Sequence, residues 1–464
     1  VNDNAAVSAA LNCDSDTRIS AVFLTADDEW ESFDYGKNRL YYTEQLLRSL
    51  AIVLAQHGVQ LKVIRLPDYD AQRQWIGNFC QRERVTDLYF NQEYQWNERM
   101  RDHQLATSLG GVNVQSFVDR VLLQPGTVLT GDGRYYSVFS PFKKRWLSVY
   151  QENNHLPYQT LNMTRSQVAT PQWTSLCEAP ESDLSAFATD ERQIQIDLKD
   201  FVDHRLADYD SNRNQPSIRG TSRLSAALAR GLLSPRQCVR AAEESLSRPI
   251  WDFPAGAFSW VNELIWRDFY QHLLIGFPRL SKNKAFRPET EALQWRNNSE
   301  EIESWKSGQT GIPIVDAGMR ELYETGWMHN RIRMVVGSFL VKHLRINWKE
   351  GEKYFRNCLL DFNEANNVAQ WQWVAGCGAD AAPYFRIFNP ILQGEKFDKE
   401  GLYVKKWVPE LSKVPSKFIH KPWEMEIKYQ NAINTIIGKD YPKPIVVHEE
   451  ARAAALNAFQ SLRK

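Results

Sequence analysis

Apolar and polar positions over the first 120 residues alternate between two periods. Short apolar runs of strand length lie at Ile19 to Leu24, Leu61 to Leu66, Leu88 to Phe90 and Val112 to Val118, and helix-like stretches separate them at Asn38 to His57, Ala71 to Arg82 and Asn97 to Leu109. Strand and helix in alternation predict right-handed crossovers and a parallel sheet covered on both faces. Residues 1–120 therefore read as a Rossmann-like α/β domain. No Gly-x-Gly-x-x-Gly follows any of these strands, so the usual dinucleotide fingerprint is absent. Residues 121–190 are rich in turns and spaced prolines (Pro125, Pro141, Pro157, Pro171, Pro180), which predicts a long interdomain connection. Over residues 191–464 the helical period dominates, as in Pro235 to Leu246, Phe258 to Ile275, Ile314 to Thr325, Arg331 to Leu344, Lys349 to Leu360 and His448 to Leu462. The second domain is predicted to be all-α.

Composition narrows this picture. The 464 residues carry 56 Lys+Arg against 56 Asp+Glu, with 43% hydrophobic and 12% aromatic residues. That content excludes disordered and low-complexity classes, and a neutral balance excludes a uniformly basic nucleic-acid-binding surface. The six cysteines are scattered without zinc spacing and read as thiols of a reducing compartment; no metal site is expected. No apolar run reaches the roughly 18 residues that span a bilayer, and the first residues do not resemble a signal peptide, so a cytoplasmic protein is expected. Eleven of the 16 Trp lie beyond residue 240, which marks the second half as built differently.

The chemistry concentrates there. On a helix from Phe258 to Ile275, Trp260, Glu263, Trp266, Arg267 and Tyr270 share one face. An aromatic core stripe with one ion pair is the plain alternative, but a core does not need two indoles, a phenol, a carboxylate and a guanidinium together. A pocket for flat heteroaromatic ligands does. Gly220-Thr221-Ser222-Arg223-Leu224-Ser225 precedes a helical run and can cradle phosphates or merely cap the helix. Trp327-Met328-His329-Asn330-Arg331-Ile332-Arg333-Met334, Asp361-Phe362-Asn363 through Asn367 to Trp371-Gln372-Trp373, and Pro383-Tyr384-Phe385-Arg386 to Pro390 complete the set.

Together these segments closely resemble the photolyase/cryptochrome family of flavoproteins, within it the class that repairs cyclobutane pyrimidine dimers in UV-damaged DNA, and the resemblance runs from Val1 to the C-terminus. It implies an antenna domain joined by a long connection to a helical domain holding FAD, active as the reduced anion. It implies FAD contacts from Tyr209, Thr221, Ser222, Arg223, Leu224, Ser225, Trp260, Glu263, Arg267, Asn330, Arg333, Asp361, Phe362, Asn363 and Asn367, the last facing flavin N5. Light-driven electron transfer would split the dimer, with Glu263 hydrogen-bonding its carbonyls, Trp266 and Trp373 flanking it, and Met334 beside it. Trp371, Trp348 and Trp295 match a tryptophan chain that photoreduces FAD. DNA contacts would come from Trp266, Asn330, Arg331, Arg386 and Gln393, with Tyr270 at the pocket edge.

Asn97, Glu98 and Lys282 match an antenna site for methenyltetrahydrofolate, although Phe33 stands where a His is usual, which leaves a deazaflavin, another flavin or no second chromophore open. Asn363 replaces a common Asp. Val1-Asn2-Asp3-Asn4 aligns inside the family's opening motif, so the family's first strand is expected to be missing from this sequence. A monomer is expected. The alternative activity is a cryptochrome-type photoreceptor without repair, against which Glu263, Trp266, Trp373, Met334 and Asn367 argue.

Overall fold

In a computed structural model, the structure describes residues 2–13, 17–152 and 166–460. The N-terminal strands are β1 (Ser20–Leu24), β2 (Gln60–Ile64), β3 (Asp87–Asn91) and β4 (Asn113–Phe117), and helices Lys37–Gln56, Tyr69–Glu83 and Trp96–Ser108 alternate with them. All the pairing is parallel, β1 with β2 and β3 with β4. The single parallel sheet expected from the alternation is instead two sheets of two strands, because β1 and β3 do not pair with each other. Every residue of β3 is correspondingly half-exposed, unlike the covered strands of a closed parallel sheet. A short helix, Ala5–Leu11, which the apolar pattern did not single out, packs on β3, with Asn4 capping it by accepting from Val7 N.

The connection also differs from a plain linker. Phe139–Glu152 is a helix whose Phe139, Phe142, Trp146 and Val149 are buried at helical spacing. It packs on Ala255–Gly276, the central helix of the second half, here called α1. Asp268 of α1 accepts from Leu122 N, Leu123 N and Trp146 Nε1 at 3.0–3.1 Å, so one buried carboxylate ties the connecting stretch to the helical core.

The second half is helical, as expected. The helices that matter for the site are α1, α2 (Asn330–Ser338), α3 (Trp348–Cys358) and α4 (Glu364–Ala375). A π-helical turn, Phe339–His343, follows α2 where the sequence predicted a continuous helix to Leu344. Among the described residues no two cysteines form a disulfide. Among the described residues no helix is long and apolar enough to cross a membrane, and no cluster of His, Cys, Asp and Glu could hold a metal ion.

Candidate active site

Between Trp260 and Leu274 every side chain of α1 is buried except Asn262, Glu263 and Trp266. On α4 the half-exposed Asn366, Gln370 and Trp373 follow one another at helical spacing, and on α2 Arg333 and Met334 stay half-exposed beside exposed Asn330. Helices α1, α2 and α3 all pack on α4. Open stripes on otherwise covered helices mark the walls of a cleft.

Glu263 is held by a guanidinium that sequence reasoning missed: Arg213 Nη1 donates to its Oε1 at 2.5 Å. Burial pushes the Glu263 carboxyl above its ordinary value, and Arg213 partly offsets that. Trp266 is fixed by stacking on Phe139, ring centres 3.5 Å apart and planes within 8°. Tyr270, expected at the pocket edge, is 8% exposed. That end of α1 is covered, and its ring packs on Trp266 and Phe269. Trp260 donates through Nε1 to Ser222 Oγ at 3.4 Å and so ties α1 to the Thr221–Ser225 loop.

In that loop Arg223 has φ 57°, a left-handed conformation that a non-glycine residue adopts only under constraint. Its guanidinium lies 4.8 Å over the Trp327 ring, and Trp327 Nε1 donates to Ser225 Oγ at 3.2 Å. Leu224 is buried. A cavity of about 310 Å³ opens on Ser222, Arg223 and Leu224, bounded elsewhere by Tyr42 of the N-terminal domain and by Phe187. Tyr209 is buried against Phe201 and close to Arg213.

Arg267, expected in the pocket, spends its donors on the carbonyls of Arg120 and Leu228, so here it holds the backbone around the cleft. Arg333 donates to Met328 O at 2.8 Å and to Asp361 Oδ2 at 2.7 Å. His329 caps α2, accepting at Nδ1 from Arg331 N at 3.2 Å. Burial, with Arg333, Arg223 and Arg331 nearby, lowers its pKa to about 4, which keeps that nitrogen an acceptor. Asn363 caps α4 and accepts from Asn366 N and Gln271 Nε2, so its oxygen is already engaged. Phe362 gives its carbonyl to Arg230 and its ring to Arg39, whose guanidinium lies 4.6 Å away. Asn367, on α4, donates from Nδ2 to Glu352 O and Oε1 at 3.1 and 2.9 Å.

Trp371 and Trp348 are buried and Trp295 is partly buried against the same core. Arg296 pairs in a parallel bridge with Ile346, which brings Trp295 and Trp348 to adjacent strands of chain. Trp371 also meets Trp305, unmarked in the sequence, at 6.2 Å. At the domain junction Lys282 Nζ sits 3.9 Å over the Trp96 ring, Glu98 accepts from Tyr69 OH at 2.8 Å, and Asn97 is exposed. Phe33 is exposed. Towards solvent, Arg331 donates to Asn214 Oδ1 from Nε and Nη2 and lies over Phe397; Arg386 is exposed and Gln393 half-buried.

The cleft suits a flavin. Asp361 Oδ1 is buried without a hydrogen-bond partner, an unmet acceptor that an N–H of an isoalloxazine satisfies.

The description "DNA photolyase" matches residues 1–161, and "FAD binding domain of DNA photolyase" matches residues 260–461. The chain is 40% identical to the deoxyribodipyrimidine photo-lyase of Escherichia coli, covering 100% of this chain and 97% of that one. The enzyme of the same name from Agrobacterium fabrum is 41% identical over 80% of this chain and 79% of its own. Among solved structures, a bacterial class III photolyase from Agrobacterium tumefaciens superposes with a TM-score of 0.89 at 34% identity, covering 100% of this chain and 95% of the other. A Synechocystis cryptochrome gives 0.86 at 28%, covering 98% and 96%.

Proposed function

Because the chain belongs to the DNA photolyase family, whose members repair UV-damaged DNA, we propose that it splits cyclobutane pyrimidine dimers by light-driven electron transfer from reduced, anionic FAD. The observation that carries this is a carboxyl of raised pKa, Glu263, on the same open face of α1 as an indole, Trp266, held rigid by Phe139.

When bound, FAD supplies the light-absorbing electron donor, a chemistry the side chains cannot provide. The Thr221–Ser225 loop and Arg223 would hold its diphosphate, with Tyr209 and Trp260 behind them. Asp361 would accept from the ring, Arg333 keeps that carboxylate in place, and Asn367 would face the ring's central nitrogen. A protonated Glu263 donates to a dimer carbonyl and stabilises the negative charge that the dimer gains. Trp266 and Trp373 sandwich the flipped-out lesion, with Met334 beside them, and exclude water. Asn330, Arg331, Arg386 and Gln393 position the DNA. Trp371, Trp348 and Trp295 would form the path along which an external reductant supplies electrons to oxidised FAD. Asn97, Glu98 and Lys282 would hold a second chromophore, methenyltetrahydrofolate or else a deazaflavin or another flavin, and the absorption spectrum of freshly purified protein shows which of these is bound or that none is.

The deciding experiment incubates photoreduced protein with a thymine-dimer oligonucleotide under blue light, with a dark control. Restored monomers only in the light are expected. Failure with FAD bound would overturn the repair reading and leave the photoreceptor alternative.

A further inference from the structure

We propose that Glu352 is a positioning residue that fixes which end of the Asn367 amide faces the flavin; this rests on the reading that FAD lies against Asn367. Both N–H groups of Asn367 Nδ2 have acceptors on one residue, the main-chain oxygen of Glu352 at 3.1 Å and its Oε1 at 2.9 Å. A carbonyl and a carboxylate can only accept, so the reversed amide would set Oδ1 against two acceptor oxygens and leave two buried donors elsewhere unsatisfied. The carboxylate cannot turn away either. Glu352 is 0% exposed. One turn further along α3, Arg356 donates from Nη2 to Oε2 at 2.5 Å and from Nε to Oε1 at 3.3 Å. Arg356 also balances the charge, so the pair adds no net repulsion beneath an anionic ring.

The remaining polar atom of Asn367 is Oδ1, which accepts and cannot donate. The ring nitrogen it meets must therefore carry a proton. In a flavin the central nitrogen is an acceptor when oxidised and an N–H donor when reduced. Glu352 thus makes Asn367 selective for the reduced form, although it touches neither the flavin nor the DNA.

Glu352→Leu and Glu352→Gln remove the same charge, but only Gln keeps an acceptor oxygen for Asn367. With FAD-loaded, photoreduced protein, the rate of flavin reoxidation in air is read from its absorbance. The Leu variant should reoxidise about tenfold faster, as the loss of one charge-assisted hydrogen bond gives, and the Gln variant within about twofold of the unaltered protein. Equal acceleration in both variants would mean that charge and not orientation acts, and would overturn the proposal. A second measurement needs no folded variant of Glu352. In reduced-minus-oxidised infrared spectra of the unaltered protein with carbonyl-labelled asparagine, assigned by loss of the band in Asn367→Asp, the Asn367 carbonyl stretch should fall on reduction. An unshifted band overturns the proposal. Inability of the unaltered protein to bind FAD would overturn the flavin reading itself, and this proposal with it.

Discussion

Replacing Arg213 by Met should move the high-pH limit of repair upward by about one pH unit. Burial raises the pKa of Glu263 and Arg213 lowers it, so removing the guanidinium leaves burial unopposed. The contact is 2.5 Å, which places the charge centres about 4 Å apart. Two unit charges at that separation attract by about 1 kcal/mol in bulk water and about 4 kcal/mol at an effective dielectric of about 20. The side chains are 32% and 37% exposed, so solvent screening puts the interaction near the lower figure, about 1–2 kcal/mol. At about 1.36 kcal/mol per unit, that is about one unit of pKa. If the protonated carboxyl assists dimer splitting, repair per absorbed photon falls as pH rises through the Glu263 pKa, and in Arg213→Met this falling limb shifts to higher pH. The assay uses photoreduced enzyme across a pH series that spans the falling limb, with saturating dimer-containing DNA because Arg213 also adds positive charge near the substrate. Glu263→Gln, whose amide donates at any pH, should lose the limb. A limb that stays in place, or that persists in Glu263→Gln, refutes the protonated-acid role.

Trp371→Phe should remove most light-driven reduction of oxidised FAD while chemically reduced enzyme repairs dimers normally; transient absorption and a repair assay on the same sample separate the two. Burial pushes the Glu364 carboxyl, to which Ser281 Oγ donates at 2.6 Å, up to about 8. The folded state therefore binds the extra proton between its ordinary value of 4.5 and about 8, so stability is complete below that window and lost as pH rises through it. Glu364→Gln should flatten this dependence and leave the protein more stable by a few kcal/mol, roughly 3–5, at alkaline pH, measured by denaturant unfolding across pH. Arg386→Ala should weaken DNA binding and reduce the slope of log K against log salt by about 1, since its exposed guanidinium is assigned to a backbone phosphate.

What the sequence made legible follows from range. Helix Lys37–Gln56 and strands β1 to β4 lie within two residues of the patterns that predicted them, because period and end signals are local. Helix Phe139–Glu152 was hidden among turn signals, although Phe139, Phe142, Trp146 and Val149 carry a helical stripe. In the site, Glu263 and Trp266 stood out because a core does not mix such groups, and they are two of the three positions α1 leaves open between Trp260 and Leu274. Arg213, 50 residues earlier in the chain, gave no signal. Glu352 and Arg356 lie four apart in a lysine- and glutamate-rich segment, where nothing in the sequence singles them out. Only tertiary packing shows that the carboxylate is fully buried beneath Asn367.

Neutral overall charge conceals a local excess where anions are expected. Around the cleft three carboxylates are each matched by one guanidinium: Glu263 with Arg213, Asp361 with Arg333, and Glu352 with Arg356. These pairs cancel. Arg39, Arg223, Arg230 and Arg331 make no ion pair among the described residues, and each instead meets a ring, a carbonyl, a hydroxyl or an amide. Their charge registers on Tyr35. Burial raises the pKa of its phenol, yet Arg230, Arg39 and the Thr43 hydrogen bond together outweigh burial and hold it below the ordinary value. A diphosphate, a reduced flavin anion and a DNA backbone all bring negative charge to this region, and these uncommitted guanidiniums offer the compensation that the three closed pairs cannot. Because the chain carries no net charge, this local surplus is offset elsewhere, so binding to undamaged DNA should remain weak until a lesion enters.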